Sequence, residues 1–293
     1  MARRRTQLLV TMQILNTPAE MHAWVRGIQA RPTIGFVPTM GALHAGHEAL
    51  LQHSRDDNDV TVLSIFVNPT QFNVVEDFDA YPRTTERDLR IAEHHGVDVV
   101  YMPTTDAMYP AGSRVFVEPG SASDSMEGEG RPGHFRGVTT IVTKLFNAVQ
   151  PHRAYFGKKD YQQLAVIRQM VSELDIDIEI VGVETIRHDD GLAMSSRNVR
   201  LTEEQRQAAP IIRRALMDAH RRVLEGQHNP RDIENGIKKI LEQEPLCALE
   251  YVSVMQSRSL LEIEKITELS VACVAVWFGD VRLIDNVELL PKI

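Results

Sequence analysis

Residues 38–51, PTMGALHAGHEALL, place His44 and His47 three apart around Gly46, where an apolar run gives way to a helical pattern. Imidazoles at that position can donate hydrogen bonds to an anion, ligate a metal, or simply fill the start of a helix. Anions collect at helix N-termini because unpaired N–H groups and the positive end of the dipole point there. Gly46 permits close approach of backbone or ligand. The H-x-x-H pair by itself supplies only two of the ligands that a zinc site needs. Pro38 and Gly41 are expected to turn the chain before the pair.

Five further stretches carry chemistry. In SIFVNPTQF (64–72), Asn68 and Gln71 offer uncharged amides of the kind that hydrogen-bond a small polar substrate, although Asn68 equally suits a plain turn. DAYPRTTERDL (79–89) adds Arg83 and Asp88, the latter a candidate metal ligand. RPGHFRGVTTIV opens with Arg131, His134 and Arg136, a positive cluster that ordinary surface charge also explains. AYFGKKDYQQL (154–164) supplies Gly157, Lys158, Lys159, Asp160 and Gln163; a lysine here can meet a phosphate as a point charge. Finally, DDGLAMSSRN (189–198) gathers Ser195, Ser196 and Arg197, either a mere loop with a hydroxyl turn or a clamp for a triphosphate. Jointly, these residues fit nucleotidyl transfer, in which a protein mainly positions groups and neutralises charge.

The elements that must hold them alternate. Short apolar runs at 33–37, 60–67, 97–101, 153–156 and 178–183 predict strands, and 46–56, 84–95, 137–150 and 160–174 predict helices. Apolar, β-branched strands interleaved with helices indicate an α/β fold, a Rossmann-like doubly wound parallel sheet that binds ligands at strand carboxyl ends. After residue 188 the texture changes. A helix over 202–226, another near 230–243, and three strand-like runs, the last two joined at Gly279-Asp280, predict a smaller α+β domain. The expected division is therefore 12–187 and 188–293, with 1–11 a disordered extension and Met12 an alternative start. Residues 121–133, SASDSMEGEGRPG, read as a flexible loop and candidate lid.

Bulk properties narrow the classes. Lys+Arg 32 against Asp+Glu 40 gives a net charge of −8, so no sequence-wide attraction to nucleic acid or anionic membrane is expected. No run approaches the ~18 apolar residues of a membrane span. Cys247 and Cys273 have no metal-type spacing and are too few for a disulfide framework, which favours a reducing cytoplasm.

The motifs PTMGALHAGH, FVNPTQF, AYPRT, RPGHFRGVTTIV, FGKKDYQQL and GLAMSSRN, with WFGDVRLIDN near the end, resemble in order and spacing those of the pantoate–β-alanine ligase family. The likeness covers residues 13–290; HAGH alone would indicate only the wider HxGH nucleotidyltransferase superfamily. It implies a Rossmann-like domain, a smaller C-terminal domain that hinges over the site, a homodimer, and Mg²⁺-ATP, pantoate and β-alanine as substrates. It also implies two half-reactions through a pantoyl adenylate. By position, His44 and His47 match the pair that contacts ATP, with His47 the residue usually named as proton donor; we expect both to act chiefly as hydrogen-bond donors. Met40 begins the nucleotide loop, and Gln71, Asn68 and Gln163 match the pantoate-holding amides. Gly157, Lys159 and Asp160 match an ATP-binding turn, Ile186 a position beside adenine, and Met194, Ser195, Ser196 and Arg197 the mobile second ATP signature. Lys158 departs from the family's usual glutamate, which either adds positive charge beside the phosphates or faces solvent with little effect. Other nucleotidyltransferases would share HAGH without FVNPTQF and FGKKDYQQL. A tRNA synthetase is excluded by length, acidity and the missing anticodon module. A binder that has lost catalysis would bind ATP without pyrophosphate exchange.

Overall fold

The computed structural model describes residues 12–29 and 31–291; the extension expected over 1–11 lies outside them. The chain forms two compact units. The first is built from residues up to Gly120, Gly130–Gly157 and Val166–Val183, the second from Ser121–Glu129, Lys158–Ala165 and the chain from Glu184 onward.

Along the chain run β1 (Gln13–Leu15), α1 (Pro18–Gly27), β2 (Ile34–Thr39), α2 (Ala45–Asp57), β3 (Val60–Ile65), α3 (Val75–Asp79), α4 (Thr85–His94), β4 (Val99–Tyr101) and α5 (Thr105–Met108). There follow α6 (Glu127–Gly130), α7 (His134–Val149), β5 (Arg153–Gly157), α8 (Tyr161–Glu173) and β6 (Glu179–Val183). In the first unit the strands form the expected parallel sheet, in the order β1-β4-β3-β2-β5-β6. The chain winds outward from β2 through β3 and, later, from β5 through β6. The order therefore reverses between neighbours β2 and β5, where doubly wound sheets leave a crevice at the strands' carboxyl ends. Val37, Leu51, Leu63, Val100 and Tyr155 fill the core on one face. Neither β1 nor α1 is among the elements expected from sequence. The strand is three residues long, paired only to β4 at the edge, whereas α1 announces itself by Pro18 in its first turn and a Thr17–Glu20 capping box.

The second unit contains α9 (Glu203–Ala208), α10 (Ile211–Leu224), α11 (Pro230–Leu241) and the antiparallel strands β7 (Cys247–Gln256), β8 (Ser270–Phe278) and β9 (Val281–Leu289). The single helix expected over 202–226 is two helices. Pro210 between them has no N–H to continue the ladder, and its ring crowds the carbonyl one turn back. Ile212, Leu216, Val223, Ile233, Ile237, Val274 and Phe278 form the core beneath.

Both cysteines are free. Burial, with a smaller contribution from Glu244, pushes the Cys247 thiol up to about 11. Only on the order of 10⁻³ of it is thiolate at pH 8, so iodoacetamide is expected to label Cys247 in the native protein roughly 10²-fold more slowly than in urea. Peptide mass spectrometry over a time course checks this; equal native and denatured rates would refute it.

Candidate active site

At the end of β2 the backbone turns through two left-handed residues, Gly41 (φ 85) and Ala42 (φ 51). A non-glycine residue there carries about 1–3 kcal/mol of strain unless its surroundings hold it. Asp88 does so. Its carboxylate, 1% exposed, accepts the N–H groups of Ala42 and Leu43, each at 2.9 Å, and the Thr84 hydroxyl at 3.0 Å. This geometry gives Asp88 a structural role in the loop. Both its oxygens organise the loop before α2, and among the described residues no three His, Cys, Asp or Glu side chains gather to hold a metal. Asp88→Asn keeps the shape but turns an amide N–H₂ toward backbone donors. It is expected to lower unfolding free energy by about 1–3 kcal/mol, the cost of an unsatisfied buried group. Urea denaturation measures this, and an unchanged midpoint would contradict it.

His44 caps α2. Its Nδ1 accepts the Gly46 N–H at 3.1 Å, and the Nδ1 of His47 accepts the His44 N–H at 3.3 Å, with ring centroids 4.2 Å apart. This is a capping box built from imidazoles instead of hydroxyl and carboxylate. A nitrogen that accepts an N–H carries no proton, so the ring proton of each neutral histidine sits on Nε2. The glycine is required here: a Cβ at Gly46 would lie 2.8 Å from Cε1 of His44.

The amide pair follows β3 in a short 3-10 turn, Pro69–Gln71. Asn68 and Gln71 are both buried. Asn68 Nδ2 donates to Gln71 Oε1 at 3.1 Å and to the Gly137 carbonyl at 3.1 Å, while its Oδ1 accepts from Tyr109 (2.8 Å) and Thr70 (3.0 Å). Burial pushes the Tyr109 phenol up, which keeps it a donor. Gln71 Nε2 donates to the Met40 sulfur at 3.1 Å. The turn packs on the first turn of α7 so closely that any Cβ at Gly137 would collide with the Thr70 carbonyl.

The positive cluster at 131–136 supports this turn. His134 Nδ1 donates to the Gln71 carbonyl at 2.8 Å, and Arg131 bonds both that carbonyl (3.4 Å) and His134 Nε2 (3.3 Å). Arg136 instead pairs with Glu118 at 2.6 Å and stacks on Phe116. Arg83 caps carbonyls of Phe78, Asp79 and Tyr81.

In the second unit, the 3-10 turn Lys158–Asp160 carries Lys159, whose Nζ lies 3.7 Å from Asp160. Lys158 is engaged elsewhere, with Glu184 (2.5 Å) and Glu288 (3.2 Å). Burial opposes its charge, but the two carboxylates outweigh this and hold its pKa above the ordinary lysine range. In this structure its ammonium is held by these two carboxylates. Residues 186–194 form a small hairpin, closed by the Arg187–Ala193 bridge and by Met194 N–H to the Ile186 carbonyl at 2.9 Å. The hairpin delivers Ser195, whose hydroxyl caps the following 3-10 turn by accepting the Arg197 N–H at 3.2 Å. Lys159, Ser195, Arg197, Asn198, Arg282 and Asp285 line one small cleft.

Gln163 is half-buried on α8, whereas its neighbour Gln162 is buried and structural. Gln162 donates to the carbonyls of Ala122 (3.0 Å) and Ser125 (2.7 Å) and accepts the Glu127 N–H at 2.9 Å. Glu127 takes both terminal nitrogens of Arg282 at 2.7–2.8 Å and the Tyr251 hydroxyl at 2.9 Å. A register shift between Leu249 and Tyr251 lets Glu250 bind the Arg282 Nε as well. The flexible loop expected at 121–133 is therefore strapped down along 122–127. Its small residues suggested mobility, but Glu127 is an anchor whose partner lies 155 residues away.

A parallel sheet whose order reverses beside a helix capped by two histidines defines an α/β protein of the doubly wound class. Within that class the chain belongs to the pantoate–β-alanine ligase family, whose model matches residues 13–288. It is 47% identical over 277 residues to a pantothenate synthetase of Acetivibrio thermocellus, spanning 94% of this chain and 99% of that one. It is 50% identical over 276 residues to that of Herpetosiphon aurantiacus, with the same coverage. A pantothenate synthetase structure from Thermus thermophilus superposes with a TM-score of 0.90 at 42% identity, covering 96% of this chain and all of that one. The Francisella tularensis pantoate–β-alanine ligase, determined with β,γ-ATP and β-alanine, gives 0.78 at 34% identity, covering 94% of this chain and 97% of that one.

Proposed function

We propose that this chain joins pantoate to β-alanine at the expense of ATP, through a pantoyl adenylate. Family membership over nearly the whole chain supports the overall ligation. The observation that carries the mechanism is the imidazole capping box, in which each Nδ1 accepts a backbone N–H and leaves the ring proton on Nε2. In the first half-reaction a pantoate carboxylate oxygen attacks the α-phosphorus; an acyl–O–P bond forms and the bond to pyrophosphate breaks. His44 and His47 donate hydrogen bonds to the phosphoryl oxygens as charge shifts onto them, stronger in the transition state than before it. Neither histidine needs to surrender its proton, because magnesium-bound pyrophosphate is already a stable leaving group. In the second half-reaction the free amine of β-alanine attacks the acyl carbon. The amide forms, AMP departs with the electron pair of the acyl–oxygen bond, and the amine's proton passes to solvent.

Within this reading, Pro38, Met40, Gly41 and Gly46 shape the nucleotide loop. Gly157, Lys159, Asp160, Ile186, Met194, Ser195, Ser196 and Arg197 complete the ATP-handling set. Asn68, Gln71 and Gln163 hold pantoate. Mg²⁺ enters with the nucleotide, as a hard cation held mainly by phosphate oxygens and water. The active form is a homodimer in the cytoplasm.

Exchange of labelled pyrophosphate into ATP tests the reading. Exchange should appear with pantoate and vanish when pantoate is omitted. ATP binding without any exchange would leave the chain a nucleotide binder, and exchange independent of pantoate would change the acid.

A further inference from the structure

WFGDVRLIDN, residues 277–286, is a motif to which the reaction above assigns no task. Its last two residues sit side by side on β9, both buried and both polar. Asp285 accepts a two-point contact from Arg187, at 2.6 and 2.9 Å, and the N–H of Asn286. Arg187 lies at the base of the 186–194 hairpin and also donates to the Gly191 carbonyl at 3.0 Å. Asn286 donates through Nδ2 to two successive carbonyls, those of Lys158 at 2.9 Å and Lys159 at 3.0 Å. Consecutive strand residues project in opposite directions. One point on β9 thus grips the two loops that present Lys159 and the Ser195–Arg197 segment. Asp285 itself lines the cleft that those residues share.

We infer that Asp285 and Asn286 are positioning residues for nucleotide binding: together they set the spacing between Lys159 and the Ser195–Arg197 loop. The inference deepens the ATP-handling role proposed above and rests on it. The cost of burying ions supports it. A buried ion pair seldom stabilises a fold better than apolar residues of the same size, so its value lies in geometry. The bidentate Arg187 fork fixes distance and angle in a way that apolar packing on the same strand would not. The two Asn286 bonds likewise hold the Lys159 backbone while leaving its side chain directed by the turn. A third latch, Asn198 Nδ2 to the Ala193 carbonyl at 2.9 Å, closes the serine loop on itself.

The test compares wild type with Asp285→Asn, Asn286→Ala and Arg187→Lys. Calorimetry with Mg²⁺ and a non-hydrolysable ATP analogue gives Kd, and steady-state kinetics give KM for ATP and for pantoate. Asp285→Asn and Asn286→Ala should each weaken analogue binding by about tenfold or more, as expected for small misplacements of a clamp, and leave the pantoate KM within about twofold. Arg187→Lys, which keeps the charge but loses the fork, should fall between them and wild type. Unchanged analogue binding in the variants overturns the inference, as does an equal rise in both KM values. Loss of the folded circular-dichroism signal in both Asp285→Asn and Asn286→Ala also overturns it, by making the pair a fold stabiliser. If the wild type binds the analogue but shows no pantoate-dependent exchange, the ligase reading fails while the binding comparison still decides the positioning role.

Discussion

His47→Ala is expected to slow pantoate-dependent ATP–pyrophosphate exchange by roughly 10²–10³-fold, the range for one lost transition-state donor. The substitution removes two things at once. It deletes the Nε2–H directed from the start of α2, and it deletes the Nδ1 that accepts the His44 N–H. The second loss is that of a helix cap and costs about 1 kcal/mol of stability. Two further variants separate them. Asparagine places its side-chain oxygen near the position of Nδ1, so His47→Asn retains the cap and lacks the donor. Glutamine reaches toward the position of Nε2, so His47→Gln retains a donor and weakens the cap. Exchange should therefore survive better in His47→Gln, and melting temperature better in His47→Asn. A near-normal exchange rate in His47→Ala would refute the donor role outright.

Lys159→Ala should impair the same half-reaction, by about 10²-fold or more, because a charge that follows the phosphates is worth most where negative charge moves. The lysine stands on a short turn whose carbonyls are held by Asn286, so truncating the side chain leaves the backbone in place. It also leaves Asp160 without the ammonium 3.7 Å away, adding a negative charge that repels phosphate. Lys159→Arg keeps the charge but replaces a compact ammonium with a planar fork, and should recover only part of the rate. Rapid-quench measurement of the two half-reactions decides the assignment. A defect confined to β-alanine capture, with adenylate formation intact, would contradict it.

The parallel sheet was legible because its strands are buried on both faces and read as continuous apolar runs, such as the wholly buried stretch Val60–Ser64. The short edge strand β1 was not, since three residues carry no period. Pro210 was visible in the sequence, yet the amphipathic pattern runs on past it. Periodicity records which face is buried, not whether the backbone is continuous. The candidate residues were similarly divided. His44, Gly46 and His47 interact across two and three positions, so their spacing alone encodes the cap.

Other roles depend on distant partners. Asp88 reads only as a possible metal ligand, whereas its carboxylate holds the loop 45 and 46 residues upstream. Lys158 reads as a charge beside the phosphates or as a solvent-facing side chain, and Glu288, 130 residues away, binds its ammonium. Arg131 and His134 read as a positive cluster or ordinary surface charge, and the Gln71 carbonyl, about 60 residues earlier, binds both. The sequence by itself determined the fold class, the family and the order of the candidate site residues, because strand burial and helix capping are local patterns. Only the tertiary structure decided which charged groups are bound into the scaffold. A side chain's type limits its possible partners, but the partner that captures it is whichever group the fold brings within hydrogen-bonding distance.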